Sequence, residues 1–190
     1  MQMDYIADRD SIVKELARQV KGEKFIHSLG VEETAVQLAR RYGENEKKAG
    51  LAGLLHDYTK QKDNVLLAKK YRIPYLVEKT LHGHTAAAVL KEKGYITDED
   101  VLSAIRWHTT GRENMTLLEK IIYLADYIEP NRDFDGVEKL RRLSFEDIDK
   151  AVLFGLQMSI GHILENKSLI DTDSVGAYNY YRKLLPKEDI

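Results

Sequence analysis

Cysteine is absent from the 190 residues of the chain, and only three prolines and one tryptophan occur. Without cysteine there can be no disulfide, no thiolate metal ligand and no cysteine nucleophile, so a metal site would need nitrogen and oxygen ligands. A formal net charge of −2 excludes a general polyanion binder, so recognition of phosphate would require local basic groups. No apolar run reaches the roughly 18 residues of a membrane helix, and no signal-peptide pattern opens the sequence. We therefore predict a cytoplasmic protein that binds neither membranes nor nucleic acid.

Alternation of apolar and polar residues, the pattern of a half-exposed strand, is missing as well. Apolar residues instead recur at helical spacing through most of the chain. The sequence therefore predicts an all-α protein. Its length favours a single domain, which we place over residues 1–190.

Turn and capping residues predict where the helices begin and end. The first three helices are expected over residues 12–20, 25–42 and 45–56. Asp10 or Ser11 would cap the first of them, and Gly22 would stop it. Three capping-box motifs, which begin at Thr97, Thr116 and Ser144, predict further helices over residues 101–108, 117–128 and 145–165. The polar stretches 130–136 and 171–176 are predicted to be loops.

The adjacent pair His56-Asp57 ends an apolar helix, so that a buried segment would deliver two polar side chains to one point in the interior. The pair is a weak motif by itself, because chance supplies such dipeptides in a chain of this composition. His27 lies 29 residues upstream on its own predicted helix. Asp126 lies inside a strongly apolar helix, where a carboxylate is costly unless it is paired or binds a metal.

Together these residues form the order H…HD…D on three predicted helices. Mixed imidazole and carboxylate ligands suit iron, manganese, cobalt, nickel or zinc, and suit calcium poorly. His82 and His108 on two further helices extend the set. One interpretation is a two-metal centre, in which a second ion shares Asp57 and takes both histidines. The other is a single ion, with the two histidines bound to phosphate oxygens.

At this point the sequence resembles the HD-domain metal-dependent phosphohydrolases, and within them the YqeK-type bacterial branch, the symmetrical dinucleoside-tetraphosphate hydrolases. The resemblance spans about residues 20–182. The stretches that carry it are Lys24–Leu29, Ala52–Lys60, Leu81–Gly83, Ala104–Arg112, Met115–Lys120 and Ala125–Arg132. The stretches His-Thr-Thr-Gly-Arg and Ala-Asp-Tyr-Ile-Glu-Pro-Asn-Arg are far more specific than the His-Asp pair.

The resemblance implies an HD-domain helical bundle whose core covers about residues 20–130. It implies iron, with manganese, cobalt, nickel or zinc as substitutes, and the hydrolysis of diadenosine tetraphosphate into two ADP. It also suggests a homodimer. The implied metal ligands are His27, His56, Asp57 and Asp126, and the implied catalytic residues are Asp57, His82 and His108. The implied substrate contacts are Lys24, His27, Asp57, Tyr58, Thr59, Lys60, His82, His108, Thr109, Asp126, Arg132, Ser174, Val175, Gly176, Ala177, Tyr178 and Asn179.

Local basic groups agree with a phosphate substrate. Lys24 precedes His27 by three residues and Lys60 follows Asp57 by three, a helical spacing that would turn each ammonium towards its ligand. Arg112 and Arg132 are expected to bind phosphate oxygens bidentately. His84 and His162 are expected to have no role in the site.

Other functions fit the same ligands. A nucleotidase or a cyclic-dinucleotide phosphodiesterase would use the same metal chemistry on another phosphoester. A regulatory module that binds a metal or a nucleotide without turnover is a hypothesis of a different class. The sequence argues against that module, because none of the expected ligands is missing.

Overall fold

The computed structural model describes residues 5–185, and within that range every regular element is helical. The ten α-helices are α1 (Tyr5–Gln19), α2 (Glu23–Tyr42), α3 (Glu46–Leu55), α4 (Asn64–Tyr71), α5 (Leu81–Glu92), α6 (Glu99–Trp107), α7 (Leu117–Ile128), α8 (Val137–Glu146), α9 (Ile148–Glu165) and α10 (Thr172–Leu184). A single 3-10 turn, Glu78–Thr80, leads into α5. The prediction of an all-α fold is confirmed. Across the same range, no helix has the length and apolar character needed to cross a membrane.

Helix α7 forms the centre of the core because its apolar residues cover nearly its whole circumference. Ile121, Ile122 and Leu124 are all fully buried. Helix α3 packs on α2, α6 and α7, helix α7 also packs on α2 and α6, and α5 packs on α6. Glycine permits two of these approaches: a Cβ at Gly53 would lie 3.0 Å from the Val31 carbonyl on α2, and one at Gly83 would lie 2.7 Å from the Arg106 carbonyl on α6. The helices that carry the candidate ligands are therefore packed against one another.

The capping motifs have different outcomes. At Thr116 the predicted capping box is present, since the Thr116 hydroxyl accepts from the Glu119 amide and the Glu119 side chain caps the Thr116 amide in return. The prediction at Thr97 is wrong: Asp98 caps α6 and accepts from the Asp100 amide at 2.9 Å. A carboxylate is a better acceptor than a threonine hydroxyl at the positive end of a helix.

The predicted start at Ser144 is also wrong. Ser144 lies inside α8, where its hydroxyl donates to the Leu140 carbonyl at 2.8 Å. The chain breaks three residues later at Asp147, whose extended backbone and side-chain oxygen cap α9. A serine that bonds back along its own helix gives the same sequence signal as a cap, so the motif was misread.

Three other predicted boundaries can be compared with the structure. Helix α1 begins at Tyr5, ahead of the predicted caps Asp10 and Ser11. The stretch 130–136 is a loop between α7 and α8, as predicted. The predicted loop over residues 171–176 is wrong, because Asp171 caps a helix that begins at the next residue. Ala177 and Tyr181, four residues apart, are fully buried and hold α10 on the body of the protein.

Candidate metal centre

His27 and Asp126 meet between α2 and α7. The His27 Nε2 atom lies 3.0 Å from Asp126 Oδ1, and the His27 ring is buried. Two neighbouring ligands, each about 2.1 Å from an octahedral ion, lie about 3.0 Å apart. The spacing of these two atoms therefore fits adjacent positions on one metal ion.

His56 and Asp57 lie at the point where α3 ends. His56 caps the end of α3 and keeps helical backbone angles, and Asp57 follows in the turn, so that both side chains enter the interior from one helix end. The His56 Nε2 atom lies 3.7 Å from Asp57 Oδ2 and 4.0 Å from Asp126 Oδ1. The four predicted ligands thus converge from three chain segments around one small space.

Two of the polar atoms that face this space are buried and unsatisfied. Within residues 5–185, His56 Nε2 and Asp57 Oδ1 have no hydrogen-bond partner. Most buried polar atoms in native proteins have one, and an orphaned atom calls for an explanation such as an ion. A metal bound by His27, His56, Asp57 and Asp126 would supply that partner. The donor set of two imidazoles and two carboxylates fits a divalent transition ion.

The protonation states of three ligands already suit metal binding. Burial is the main cause that lowers the pKa of His56 to about 4, so the ring is neutral at pH 7. Burial alone would raise the pKa values of Asp57 and Asp126, but nearby histidines and basic groups hold both well below the usual range. His27 differs: burial would lower its pKa, yet hydrogen bonds to Asp126 and Glu129 outweigh burial and raise it.

A second group of polar side chains adjoins the ligands on the Asp57 side. We call Lys60, His82, His108 and Thr109 the anion group. His82 Nε2 lies 2.9 Å from the Lys60 ammonium and 3.0 Å from His108 Nε2. The Thr109 hydroxyl lies 3.0 Å from each of the two imidazoles. Asp57 Oδ1 joins both clusters, at 3.3 Å from His82 Nε2 and 3.5 Å from His108 Nε2.

The same kind of hydrogen bond to the backbone orients three histidines of the two clusters. The Nδ1 atoms of His56, His82 and His108 each donate to the carbonyl three residues earlier, namely that of Gly53, Lys79 and Ile105. A carbonyl only accepts, so Nδ1 carries the hydrogen and Nε2 faces the cleft. Each Nε2 therefore presents a lone pair when the ring is neutral, which in His82 faces the Lys60 ammonium, and each would donate to a phosphate oxygen when protonated.

The basic residues predicted to bind substrate differ in where they lie relative to the site. Lys60 reaches the anion group from a turn and not from a helix. The Arg132 guanidinium donates to the Asp126 carboxylate at 2.6 Å, beside the ligands. Lys24 is exposed, and the structure gives it no ion pair within residues 5–185.

Three predicted contacts are made with the protein itself. The buried Tyr58 side chain donates its hydroxyl to Glu15 on α1 at 2.6 Å, and the predicted substrate contact of this residue stays a prediction. The Thr59 hydroxyl donates to the His82 carbonyl at 2.9 Å and thereby supports the start of α5. Arg112 forms a bidentate pair with buried Glu119, so a phosphate would have to compete with this carboxylate, and the expected phosphate contact stays a prediction.

The segment predicted to face the nucleotide lies on α10 instead of a loop. Its residues are Ser174, Val175, Gly176, Ala177, Tyr178 and Asn179. Ser174 and Ala177 are buried, whereas Val175 and Asn179 are exposed. Ala177 packs beside Gly111, which lies two residues after Thr109 of the anion group. Helix α10 therefore contacts the segment that carries Thr109, and its role in substrate binding stays a prediction.

The two remaining histidines lie outside both clusters. His162 is exposed on α9. His84 packs edge-to-face on Trp107, with ring centroids 4.8 Å apart, and burial lowers its pKa to about 4. With Thr80 and Asp171 it lines a cavity of about 290 Å³.

Sequence reasoning missed Glu129. This carboxylate is buried and accepts from His27 Nδ1 at 3.1 Å. A usable signal existed, because Glu129 follows Asp126 by three residues, a spacing that turns two side chains of a helix to one side. Its partner lies 102 residues away, so no local pattern connects the two.

The chain matches the family model described as "HD domain" over residues 25–131. It therefore belongs to the HD-domain family.

Relatives within this family share most of the chain. A protein of Halalkalibacterium halodurans named "Bis(5'-nucleosyl)-tetraphosphatase, symmetrical" is 44% identical over 163 residues, which cover 82% of this chain and 87% of that protein. A Bacillus subtilis protein of the same name is 34% identical, over 91% of this chain and 97% of its own length. The resemblance inferred from the sequence is thereby confirmed.

A solved structure agrees with the fold. The crystal structure of a protein described as a "predicted HD superfamily hydrolase involved in NAD metabolism" from Clostridium acetobutylicum superimposes with a TM-score of 0.90. The match covers 97% of this chain and all of the other, at 37% identity. The helical arrangement described above is thus that of an HD-domain hydrolase.

The unusual state of His27 predicts how protons accompany the metal. The raised pKa of His27 keeps its ring protonated to higher pH than an ordinary imidazole in the metal-free protein, whereas His56 is neutral at pH 6.5 and both aspartates are ionised. Metal binding at this pH should therefore release protons from His27, and at most one proton per ion. The metal affinity should rise with pH up to the His27 pKa and then level off. An indicator dye in weakly buffered solution measures the release.

The control for this measurement is the His27→Ala variant, in which the release at pH 6.5 should vanish. A release of about two protons per ion, or an undiminished release from the variant, would contradict the assigned protonation states.

Proposed function

We propose that the chain hydrolyses bis(5'-nucleosyl) tetraphosphates symmetrically, so that diadenosine tetraphosphate yields two ADP, in a metal-dependent reaction. The observation that carries the proposal is the pairing of two clusters that share Asp57. One cluster offers four metal ligands, and the other offers cationic and hydroxyl donors for phosphate. The names of the relatives support the same substrate class.

The metal would be held by His27, His56, Asp57 and Asp126, and we propose iron as the ion bound in the cell. Bound there, a divalent ion supplies Lewis-acid polarisation of a phosphoryl oxygen and lowers the pKa of a water molecule. Arg132 donates to Asp126 and holds that carboxylate in place. Burial of the ligands excludes bulk water, which strengthens every charge interaction in the site.

The anion group would bind the phosphate chain. Lys60 supplies a permanent positive charge, and Thr109 supplies a hydroxyl donor. Burial is the main cause that lowers the pKa of His82 to about 3, so its Nε2 atom, 3.0 Å from His108 Nε2, carries no proton near pH 7 and becomes a donor only when the charge of a bound phosphate draws a proton to the ring. A proton gained there would be available to the oxygen that leaves when the phosphoanhydride bond breaks.

The position of the cut is the most direct test of the proposed reaction. One water adds its oxygen to the second phosphorus from a nucleoside, the bond from that phosphorus to the central bridging oxygen breaks, and the second ADP leaves with that oxygen and a proton. In heavy-oxygen water, one ADP of each pair should carry the label on its terminal phosphate. Mass spectrometry of the products measures it.

Other product patterns would refute the symmetric reaction. ATP and AMP in equal amounts would mean that the enzyme cleaves the bond between the first and second phosphorus atoms and not the central one. Phosphate release from mononucleotides without cleavage of the tetraphosphate would favour a nucleotidase instead. Cleavage of a cyclic dinucleotide alone would favour a phosphodiesterase. A protein that binds metal and ADP but turns over none of these substrates would be a regulatory module.

Three further expectations accompany the proposal. We propose that residues 1–190 form one domain, that two copies associate as a homodimer, and that the protein works in the cytoplasm on nucleotides alone. Light scattering after gel filtration measures the mass in solution, and limited proteolysis tests the single domain. A monomeric mass would refute the dimer without touching the proposed reaction.

A further inference from the structure

Among residues 5–185, Glu129 is the one charged side chain in contact with the second nitrogen of a predicted metal ligand. His56 donates its Nδ1 hydrogen to a neutral backbone carbonyl, whereas His27 Nδ1 lies 3.1 Å from the Glu129 Oε1 atom. Because a carboxylate only accepts, Nδ1 of His27 must carry the hydrogen, which leaves Nε2 directed at Asp126 and the metal position. A carboxylate also makes the ring a stronger ligand than a carbonyl does.

The local sequence explains why this carboxylate turns inward. Glu129 directly follows α7 and precedes Pro130, and it adopts extended backbone angles with φ −53° and ψ 155°, as residues before proline do. The chain then turns back, so that both the backbone amide and the side-chain amide of Asn131 donate to Glu129 Oε2, at 2.8 and 2.9 Å. One carboxylate oxygen is thus anchored by Asn131, and the other is presented to His27.

Gly30 makes room for this arrangement. It lies on α2, one turn after His27, and a Cβ atom at this position would lie 2.6 Å from Glu129 Oε2. That distance is too short for any real contact, so a side chain here would displace the carboxylate. Since glycine costs helix stability relative to alanine, its presence inside α2 needs a local reason, and the close carboxylate supplies one.

We propose that Glu129 is the positioning residue of His27: it fixes the ring in the tautomer that binds metal through Nε2, and Gly30 provides the space that this requires. The inference rests on the ligand role of His27 in the proposed function. It concerns metal affinity, so it is tested without any substrate. Within residues 5–185 the Glu129 carboxylate contacts His27, Asn131 and, at 4.0 Å, the Arg132 guanidinium; all three present donors, and only a carboxylate accepts at both oxygens.

The Glu129→Gln variant tests whether a carboxylate is needed at this position. If the NH2 group of the glutamine faced Asn131, it would meet the backbone and side-chain amides of Asn131, which are also donors. If its amide group faced His27, the ring would have to accept at Nδ1 and carry its hydrogen on Nε2, where it blocks the metal. Either orientation should weaken binding of the ion, and losses of about 10- to 100-fold are typical when such an outer partner is removed.

The experiment titrates the full-length, metal-free protein with Mn²⁺ and measures the free ion by its electron paramagnetic resonance signal. Glu129→Gln should raise the dissociation constant about 10- to 100-fold while circular dichroism keeps its helical amplitude. Gly30→Ala, which removes no polar group, should raise the dissociation constant as well. Its matched control is Gly161→Ala on α9, where nothing lies within 4 Å of the added Cβ and the affinity should stay unchanged.

A variant background separates positioning from a general structural effect. If Glu129 acts through His27, the Glu129→Gln change should cause no further loss of Mn²⁺ affinity in the His27→Ala protein. An equal loss in both backgrounds would overturn the inference, as would an unchanged affinity in Glu129→Gln and Gly30→Ala. Should Glu129→Gln fail to fold, Gly30→Ala against Gly161→Ala decides. Failure of the wild-type protein to bind Mn²⁺ would overturn the ligand assignment itself and this inference with it.

Discussion

Replacing His56 or Asp126 by alanine should abolish the hydrolysis of diadenosine tetraphosphate and reduce the metal content together. His56 Nε2 is a fully buried atom without a protein partner within residues 5–185, so its proposed work is to bind the ion. Loss of one of four ligands typically costs more than the 10- to 100-fold in affinity that an outer partner costs, so we expect at least about 100-fold. Elemental analysis and product formation measure the two losses.

Matched substitutions away from the site provide the controls. His162→Ala removes an exposed histidine on α9, and Asp135→Ala removes an exposed aspartate on the 130–136 loop. Both should keep full metal content and activity, and all four variants should keep their helical circular dichroism. Full retention of metal in both His56→Ala and Asp126→Ala would contradict the ligand assignment.

The His108→Ala substitution should lower turnover at least about 100-fold while the metal-to-protein ratio stays the same. The reason lies in the Lys60 ammonium, which lies 2.9 Å from His82 Nε2. Asp57, His82 and His108 offer three ligand atoms within 4.8 Å of one another, but a fixed positive charge beside them repels a second cation and attracts phosphate, so we propose an anion site there and not a second metal site. Quantitative metal analysis and steady-state kinetics measure the two quantities.

The comparison with His84→Ala controls for the loss of a helix-end histidine, because His84 is half-buried and lies outside both clusters. It should leave turnover and metal content unchanged. A fall of about one ion per chain in His108→Ala alone would establish the two-metal centre and refute the anion group.

The candidate ligands were recognisable from the sequence because their signals are local. A carboxylate within the apolar stretch of α7, and a histidine and an aspartate at the end of apolar α3, conflict with their own surroundings whatever the rest of the chain does. The capping box at Thr116 is equally local, since its two hydrogen bonds join residues three apart. The interpretation of the same signal at Ser144 was wrong because a back-bonding serine within a helix carries the same letters.

What each polar side chain contacts was decided by the tertiary structure. The Arg112 guanidinium, which the sequence led us to expect at a phosphate, pairs with Glu119 on α7 in this structure. Tyr58, predicted to contact substrate, directs its hydroxyl at Glu15 on α1. The loop predicted over residues 171–176 is helical because Ala177 and Tyr181 find the body of the protein to pack on.

The contact of His27 with Glu129 shows the difference between what the sequence determines and what the tertiary structure determines. The sequence by itself determined the helical class, the three helices that carry the ligands and the residue types that a metal requires, because each depends on spacings of a few residues. Which nitrogen of His27 faces the metal depends on a carboxylate 102 residues away, which approaches only because Gly30 lets the end of α7 come close to α2. Helix packing sets such distances, and packing depends on the fit of whole surfaces, not on any local pattern.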